Sequence, residues 1–380
     1  MYSVRDFGAM IGDEGRFEAY SRAIAAAVRP GDAVMEIGCG PAVFALLACR
    51  AGARKVYAVE IDEVIDLGCR LAAANGFGDR IEFIQNDSRK INLPEPVNLI
   101  VSDIRGVLPL YGSALGAIED ARVRILAKGG ILIPQRDELK AAIVESHKLY
   151  CELTSPWKIR PEELDLSLAL PLTLNETHNT RIKPENLLTE AQTWWVLDYA
   201  AGANSRAKAE TVFQATRNGL AEGICLWFDT DLYQGIGYSS GPQGTGKVYG
   251  QLFLPFLSPI TLAKGQEISV RLQADLVGES YIWSWDTKFD ARDGSPKIHF
   301  RQSSFEGASI SHQSLQRHAT SFVPTRTEQV QAESMLLEEM DGKNSLEEIA
   351  RKVSEKFPKT YPRMEDALRR VMELSRRFSV

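Results

Sequence analysis

At 380 residues, with 25 % charged and 44 % hydrophobic, the chain is long enough for two or three domains with cores of their own. Its net charge of −6 gives no general attraction to nucleic acid or to an anionic membrane surface. The five cysteines (39, 49, 69, 151 and 225) stand far apart without a C-x-x-C, which argues against zinc or a disulfide framework and for a reducing cytoplasm. The N-terminus lacks a signal-peptide pattern and no apolar run nears ~18 residues, so neither secretion nor membrane insertion is expected.

The most informative stretch is AVMEIGCGPAVFALLACRAGARKVYAVE at 33–60. An apolar strand, Ala33 to Ile37, ends in Glu36-Ile37-Gly38-Cys39-Gly40. A helix follows over about 41–51, then a second strand, Lys55 to Val59, closing on Glu60 with Ile61 beside it. Glycine allows a tight turn and close approach of a ligand to the backbone. An acidic side chain ending the second strand can accept both ribose hydroxyls. A dinucleotide fingerprint wants a third glycine or alanine where this chain has Val43. Glu36 would also repel a pyrophosphate, yet it suits the ammonium of a methionine moiety. The segment therefore reads as a site for S-adenosylmethionine (SAM), with a dinucleotide or an unliganded βαβ unit as competing readings.

Further strands are predicted at Arg80–Gln85, Val97–Ser102 and Gly130–Pro134, with helices at about 62–75 and 111–127. This alternation specifies a parallel, Rossmann-like sheet over 29–135, preceded by helices in 1–28. Ligands on such sheets lie beyond the carboxyl ends of the strands. That rule puts Gly38, Glu60, Asp87 and Asp103 on one rim, with Ser88 and Ser102 beside the last two. Asp87 follows the third strand, where an acid accepts from the adenine amino group in many SAM enzymes. Asp103 is the candidate to orient or deprotonate a methyl acceptor, and an ion pair with Arg105 is its structural alternative.

From 136 to about 325 short alternating apolar stretches (LWFDTDL, YGQLFLPF, ISVRLQADLVG, YIWSWDTKF) predict an antiparallel β-barrel or sandwich, with a proline-bearing excursion at 155–190. Trp194, Trp195, Trp283 and Trp285 fit strand packing. Gly241 to Lys247 mimics a phosphate-binding loop, but Val248 replaces the metal-binding hydroxyl and no strand precedes it, so a hairpin loop is expected. Histidines 147, 178, 299, 312 and 318 show no metal-ligand spacing. Residues 326–380 are helical again. Ser345 and Glu348 form a capping box, and Met364, Ala367, Leu368, Val371 and Leu374 form a helical stripe, which together predict a small three-helix or winged-helix module. A net basic character over 343–377, with Arg369, Arg370, Arg376 and Arg377, reads as an ordinary solvated face before it reads as a nucleic-acid surface.

With these residues laid out, the first 300 positions resemble the protein arginine methyltransferases. That family carries M-x-x-D-x-x-R-x-x-x-Y ahead of its nucleotide-binding strand, and Met10, Asp13, Arg16 and Tyr20 stand at that spacing. The resemblance implies that helices in 1–28 fold over the cofactor, that Met10 packs on it and that Arg16 grips its carboxylate with two prongs. Cys39, Gly40, the AGA-x-KVYAVE segment, Asn75 to Ile81 and L-x-P-Q-R-D-E-L near 132–139 also match. The family's two guanidinium-holding glutamates lie in S-E-W-M-G-Y-x-x-x-x-E-S. Here Ser102 to Ser113 reads S-D-I-R-G-V-L-P-L-Y-G-S, so Asp103 and Gly112 replace them and Arg105 stands alongside. The Thr-His-Trp loop becomes Lys247, Val248 and Tyr249. Tyr111 and Tyr249 are candidate acceptor-lining residues. The resemblance implies a head-to-tail homodimer through an arm, for which 155–190 is the candidate. The departures imply a peptide or protein acceptor other than arginine, with a small metabolite or an idle SAM-binding scaffold as alternatives. The segment D-G-K-N-S-L-E-E-I-A from Asp341 resembles PqqD-like winged helices, which implies capture of a leader peptide as an added strand, with a structural or dimer-forming appendage as the first competing reading.

Overall fold

The computed structural model describes residues 2–290, 297–308, 311, 316–317 and 319–379, and divides into two units, 1–309 and 310–380. His312 and His318 lie outside the described residues.

The first unit opens with α1 (Val4–Ile11), started by a Ser3–Asp6 capping box, and α2 (Glu14–Ala27), which buries Arg16, Ala19, Tyr20, Ala23 and Ile24. Strands β1 (Ala33–Ile37), β2 (Lys55–Glu60), β3 (Ile81–Gln85), β4 (Val97–Ser102) and β5 (Leu126–Ile133) form one sheet in the order β3-β2-β1-β4-β5. All four pairings are parallel. Every residue of β1 is buried, as expected for a central strand covered on both faces. Helices α3 (Val43–Ala51), α4 (Ile65–Ala74) and α5 (Ala114–Arg124) make the crossovers. The helix expected to reach 127 ends at Arg124, because Leu126 already enters β5 beside Val97. Strand order reverses between β1 and β4. The crevice beyond their carboxyl ends is where such sheets bind ligands.

Strand β6 (Arg136–Val144) leads straight into the antiparallel region. With β7 (His178–Thr180), β8 (Gln192–Asp198), β10 (Gly219–Tyr233), β11 (Ile236–Ser239) and β12 (Gln251–Leu262) it makes one sheet, ordered β7-β12-β10-β6-β8 with β11 on β10. The other sheet is β15-β14-β13-β9, built from β9 (Arg206–Gln214), β13 (Glu267–Val277), β14 (Ser280–Phe289) and β15 (Ile298–Ser303). Barrel-like sequence thus becomes two antiparallel sheets. They share a core with the parallel domain that includes Phe213, Phe228, Phe256 and Trp285. Gly223 marks a bulge in β10, where a Cβ would stand 2.5 Å from the Leu254 carbonyl oxygen. Trp194 and Trp283 meet edge to face at 6.0 Å and are buried, whereas Trp195 is half-buried.

The 155–190 excursion begins inside α6 (His147–Lys158), passes through α7 (Leu170–Leu174) and returns to the sheet at β7, which pairs with β12. Leu164, Leu168 and Leu172 are exposed along it. A short helix, α8 (Ser304–Gly307), follows β15.

The second unit holds α9 (Glu328–Glu338), α10 (Leu346–Lys356) and α11 (Met364–Phe378) around Ala332, Leu336, Ile349, Val353, Ala367, Val371 and Leu374. The capping box is present: Glu348 N–H donates to Ser345 Oγ, and Ser345 N–H to Glu348 Oε2 at 2.7 Å. No strand occurs among the described residues of this unit, so the sheet edge that the PqqD resemblance implies is not found there. Arg370 pairs with Glu333 and Glu373, and Arg369 with Asp366, so two of the four arginines singled out above are matched by acids.

Candidate functional site

The glycine turn sits at the switch point. Gly38 and Gly40 have φ of +67° and +51°, a region that penalises any side chain. Both Gly38 and Cys39 donate their N–H groups to the Val59 carbonyl, which pins the turn to β2. Glu60 finishes the arrangement. Its Oε2 accepts from Gly40 N–H at 2.8 Å, while Oε1 accepts from Ile61 at 2.8 Å and Asp62 at 3.1 Å. The carboxylate expected to hold a ribose therefore also fixes the backbone that would face the ligand. Ile61 itself is exposed.

Glu36 lies under the turn, buried, with Oε2 accepting from Ala45 N–H at 2.7 Å in the first turn of α3. Burial pushes its carboxyl up to about 8, and nearby Glu60 adds to the effect against the pull of the α3 amides. A buried acid in this state favours a cation beside it. Burial likewise raises the Cys39 thiol. Above the turn, a Cβ on Gly40 would stand 2.6 Å from the Phe7 ring and one on Gly38 2.3 Å from Ile104, so α1 and the segment after β4 cover the glycines closely.

The residues after β4 build a closed ionic network. Arg16 is ion-paired with Asp103, its Nε donating to Oδ2 at 2.6 Å, and its Nη1 donates to the Met10 carbonyl at 3.0 Å. Arg105 donates through Nε to Asp103 Oδ1 at 3.0 Å, and through Nη1 to Asp137 Oδ1 at 2.8 Å and Thr230 Oγ1 at 3.1 Å. Its Nη2 reaches the Tyr20 hydroxyl at 2.6 Å and the Tyr238 hydroxyl at 3.3 Å. The guanidinium also lies 4.9 Å from the Phe228 ring centroid. Tyr20 donates onward to the Ser102 carbonyl and Asp103 Oδ1, and Tyr199 donates to Asp137 Oδ2 at 2.6 Å. Burial opposes ionisation of Asp103, but Arg16 and Arg105 overcome it, with help from Tyr249, and hold the carboxyl below its usual range. Two cations and two anions thus neutralise one another in the interior.

The structure brings Met10, Arg16, Ser102, Asp103, Arg105 and Tyr249 together, with Gly38 to Gly40, Glu36 and Glu60 at the switch point. Asp87 follows β3 but turns to its own neighbour, pairing with Arg89 at 2.6 Å. Hydrogen bonding from Arg89 lowers its carboxyl to about 2 despite some burial. Ser88 is buried, its carbonyl accepting from Arg124. Tyr111 is exposed, its ring packed against Gly106. The Gly241 to Lys247 loop closes on the α1–α2 junction: Lys247 and Val248 N–H groups donate to Asp13 Oδ2, the latter at 2.8 Å, and Thr245 packs on Gly15. Sequence reasoning missed Phe7, Asp137, Tyr199, Thr230 and Tyr238. Asp137 left a signal, because it shares the inward face of β6 with the buried Leu139 and Ala141, where an acid needs a partner.

The chain is similar to known methyltransferases. A family described as ribosomal protein L11 methyltransferase (PrmA) matches residues 19–153. Protein arginine N-methyltransferase 1.1 of Arabidopsis thaliana is 25 % identical over 242 residues, 62 % of each chain. The match therefore spans about three-fifths of that relative's length. The Dictyostelium discoideum protein arginine N-methyltransferase 1 is 25 % identical over 68 % of this chain and 78 % of its own. An arginine N(omega)-methyltransferase of Streptomyces achromogenes is 26 % identical over 70 % and 74 %. Among solved structures, the Trypanosoma brucei PRMT1 enzyme–prozyme complex with AdoHcy superposes with a TM-score of 0.72 at 20 % identity, covering 77 % of this chain and 96 % of that one. Arabidopsis protein arginine methyltransferase 10 gives 0.70 at 21 %, covering 79 % and 97 %. Over the part of the chain they cover, the fold is that of these methyltransferases.

Two outcomes follow from the site. Asp137→Ala strands the buried Arg105 beside Asp103 alone and is expected to lower unfolding stability by about 3–5 kcal/mol, read from denaturant midpoints. Glu36 has a folded value above its unfolded 4.5, so its favourable contribution is complete below 4.5 and is lost as pH rises through about 8. The melting temperature of the Glu36→Gln variant without ligand should accordingly fall less than wild type across that window.

Proposed function

We propose that the chain is a SAM-dependent methyltransferase with arginine-methyltransferase architecture whose acceptor is a peptide or protein group other than a standard arginine. The observation that carries the cofactor assignment is the Glu60-braced glycine turn at the β1/β4 switch point, above the buried Glu36. Gly38, Cys39 and Gly40 offer backbone without bulk, Glu60 offers acceptors for ribose hydroxyls with Ile61 beside it, and Glu36 offers a carboxyl for an ammonium. Arg16, whose Nε and Nη2 pair with Asp103 in this structure, would turn a prong to the methionine carboxylate with Met10 beside it, and Asp87, Ser88 and Ser102 border the remainder. When bound, SAM supplies a methyl group on a sulfonium that is already an excellent leaving group, so the protein's task is in-line positioning and handling of one proton.

The acceptor assignment rests on Arg105. Its guanidinium is held by two carboxylates, two tyrosine hydroxyls and an aromatic face, which is the environment an arginine acceptor would need. The chain fills that demand internally. Asp103, ionised and shared by Arg16 and Arg105, acts here as a positioning residue, with Tyr111 and Tyr249 lining the acceptor side. The 155–190 excursion serves as a dimerisation arm and carries exposed leucines suited to that task. The 326–380 module, PqqD-like by resemblance, presents a peptide acceptor, and the protein works in the cytoplasm. The closed state of the Asp103 network also favours a second reading, an idle SAM-binding scaffold.

Calorimetric titration with S-adenosylhomocysteine tests the cofactor site. Wild type should bind at micromolar concentration, and Arg16→Ala and Glu60→Ala should each weaken binding about tenfold or more, as loss of a charge-assisted hydrogen bond does. No binding by folded wild type would overturn the assignment. Deleting 327–380 should abolish labelled-methyl transfer to peptides, and survival of turnover on small metabolites would point to that acceptor class. An idle scaffold would show no turnover for Asp103→Asn to remove.

A further inference from the structure

Away from the glycine turn, at the root of the 155–190 excursion, three side chains of catalytic type are gathered. His147, the first residue of α6, has Nδ1 3.0 Å from Glu222 Oε1. Glu222, on β10, is buried, and its Oε2 accepts from Ser146 N–H at 2.8 Å. Cys151 lies one helical turn beyond His147, its Sγ 3.4 Å from Nε2 and 3.8 Å from Nδ1, so the sulfur stands over the face of the ring, nearer Nε2 and off its lone-pair axis. The i, i+4 spacing on α6 puts thiol and imidazole on one face. The buried carboxylate, fixed by a backbone amide, selects the tautomer with hydrogen on Nδ1 and leaves Nε2 free to take a proton. Glu222 and Glu145 lie beside the imidazole, and Tyr150 lies near Glu222 and Cys151. The site is reachable: His147 is 75 % exposed and Cys151 half-buried. Cys39, Cys49 and Cys225 are buried, and Cys69 is half-buried without such a partner in its hydrogen bonds.

We propose that Cys151 is a nucleophilic thiol served by the His147–Glu222 pair, and that it undergoes exchange with low-molecular-weight disulfides. In the step, the Cys151 side chain turns from the ring face onto the Nε2 lone pair, the thiol proton passes to His147 Nε2 and the sulfur attacks one sulfur of the disulfide. The S–S bond breaks, and the departing thiolate takes the proton back from the imidazolium. One disulfide and one thiol become a mixed disulfide on Cys151 and one free thiol, with no other oxidant. Sequence position alone gives no such reading, because Glu222 lies 75 residues beyond His147 and meets it only through the fold. A mixed disulfide on Cys151 places a new group at the base of the excursion, on a helix that packs Tyr150 and Thr154 inward.

The test uses the full chain and dithiodipyridine, whose exchange releases a coloured thiopyridone, with the modified residue located by peptide mass mapping. Cys151 should react about tenfold or more faster than Cys69, in the range a positioned general base provides. Cys151→Ser should remove the fast phase, and His147→Gln should slow it about tenfold. His147 is solvent-exposed and a glutamine amide can still donate to the buried Glu222, so that variant should keep a melting temperature close to wild type. Reaction of Cys151 no faster than Cys69, or an unchanged fast phase in His147→Gln, would overturn the proposal.

Discussion

The first unit depends on a buried charge balance. Asp103 and Arg105 leave the end of β4, Arg16 and Tyr20 come from α2, and Asp137, Tyr199, Thr230 and Tyr238 come from the antiparallel region. Each charge would be prohibitively expensive in that interior alone, and together they satisfy nearly all of one another's hydrogen bonds. The consequence is architectural. The helices before the parallel sheet, the sheet itself and the antiparallel region meet at one point, and none of the three can shift without exposing or orphaning a charge. Hydrophobic packing continues across the same seam, so the parallel and antiparallel regions share a core.

Seen from that network, the two halves of the site are built by different means. The half under the glycine turn is local: strand, turn, helix and strand within 28 consecutive residues, with Glu60 folded back onto the amide of Gly40. The other half is assembled from distant segments, and its chemistry is set by which charges those segments deliver. Placing a cation at 105, where it meets both Asp103 and Asp137, changes what kind of group the crevice can accept without altering the fold that surrounds it. This is how a shared architecture separates from a shared substrate.

The sequence was legible where structure is decided locally. The β1–α3–β2 segment, the alternating strands and the capped α10 follow from turn residues, periodicity and caps, and they stand where those signals placed them, within a few residues. The departure at Asp103 and Arg105 was equally visible, but its outcome was not. Whether that aspartate faces a substrate or an internal partner depends on Asp137, 32 residues beyond Arg105 on a different sheet, and on tyrosines farther still. Phe7 over Gly40 was hidden for the same reason, since nothing near either residue announces the contact. In the second unit helical spacing was sufficient for the helices, whereas a sheet edge implied by a ten-residue likeness needs strands that the described residues do not contain.

One property of the four-charge cluster reaches beyond the site. Its members are nearly sealed from solvent and sum to zero, so dissolved ions neither enter to screen the individual pairs nor feel a net charge from outside. The exposed pairs, such as those along α5 and α11, loosen as ionic strength rises, and the seam does not. The molecule therefore has a salt-sensitive rind around a salt-indifferent centre.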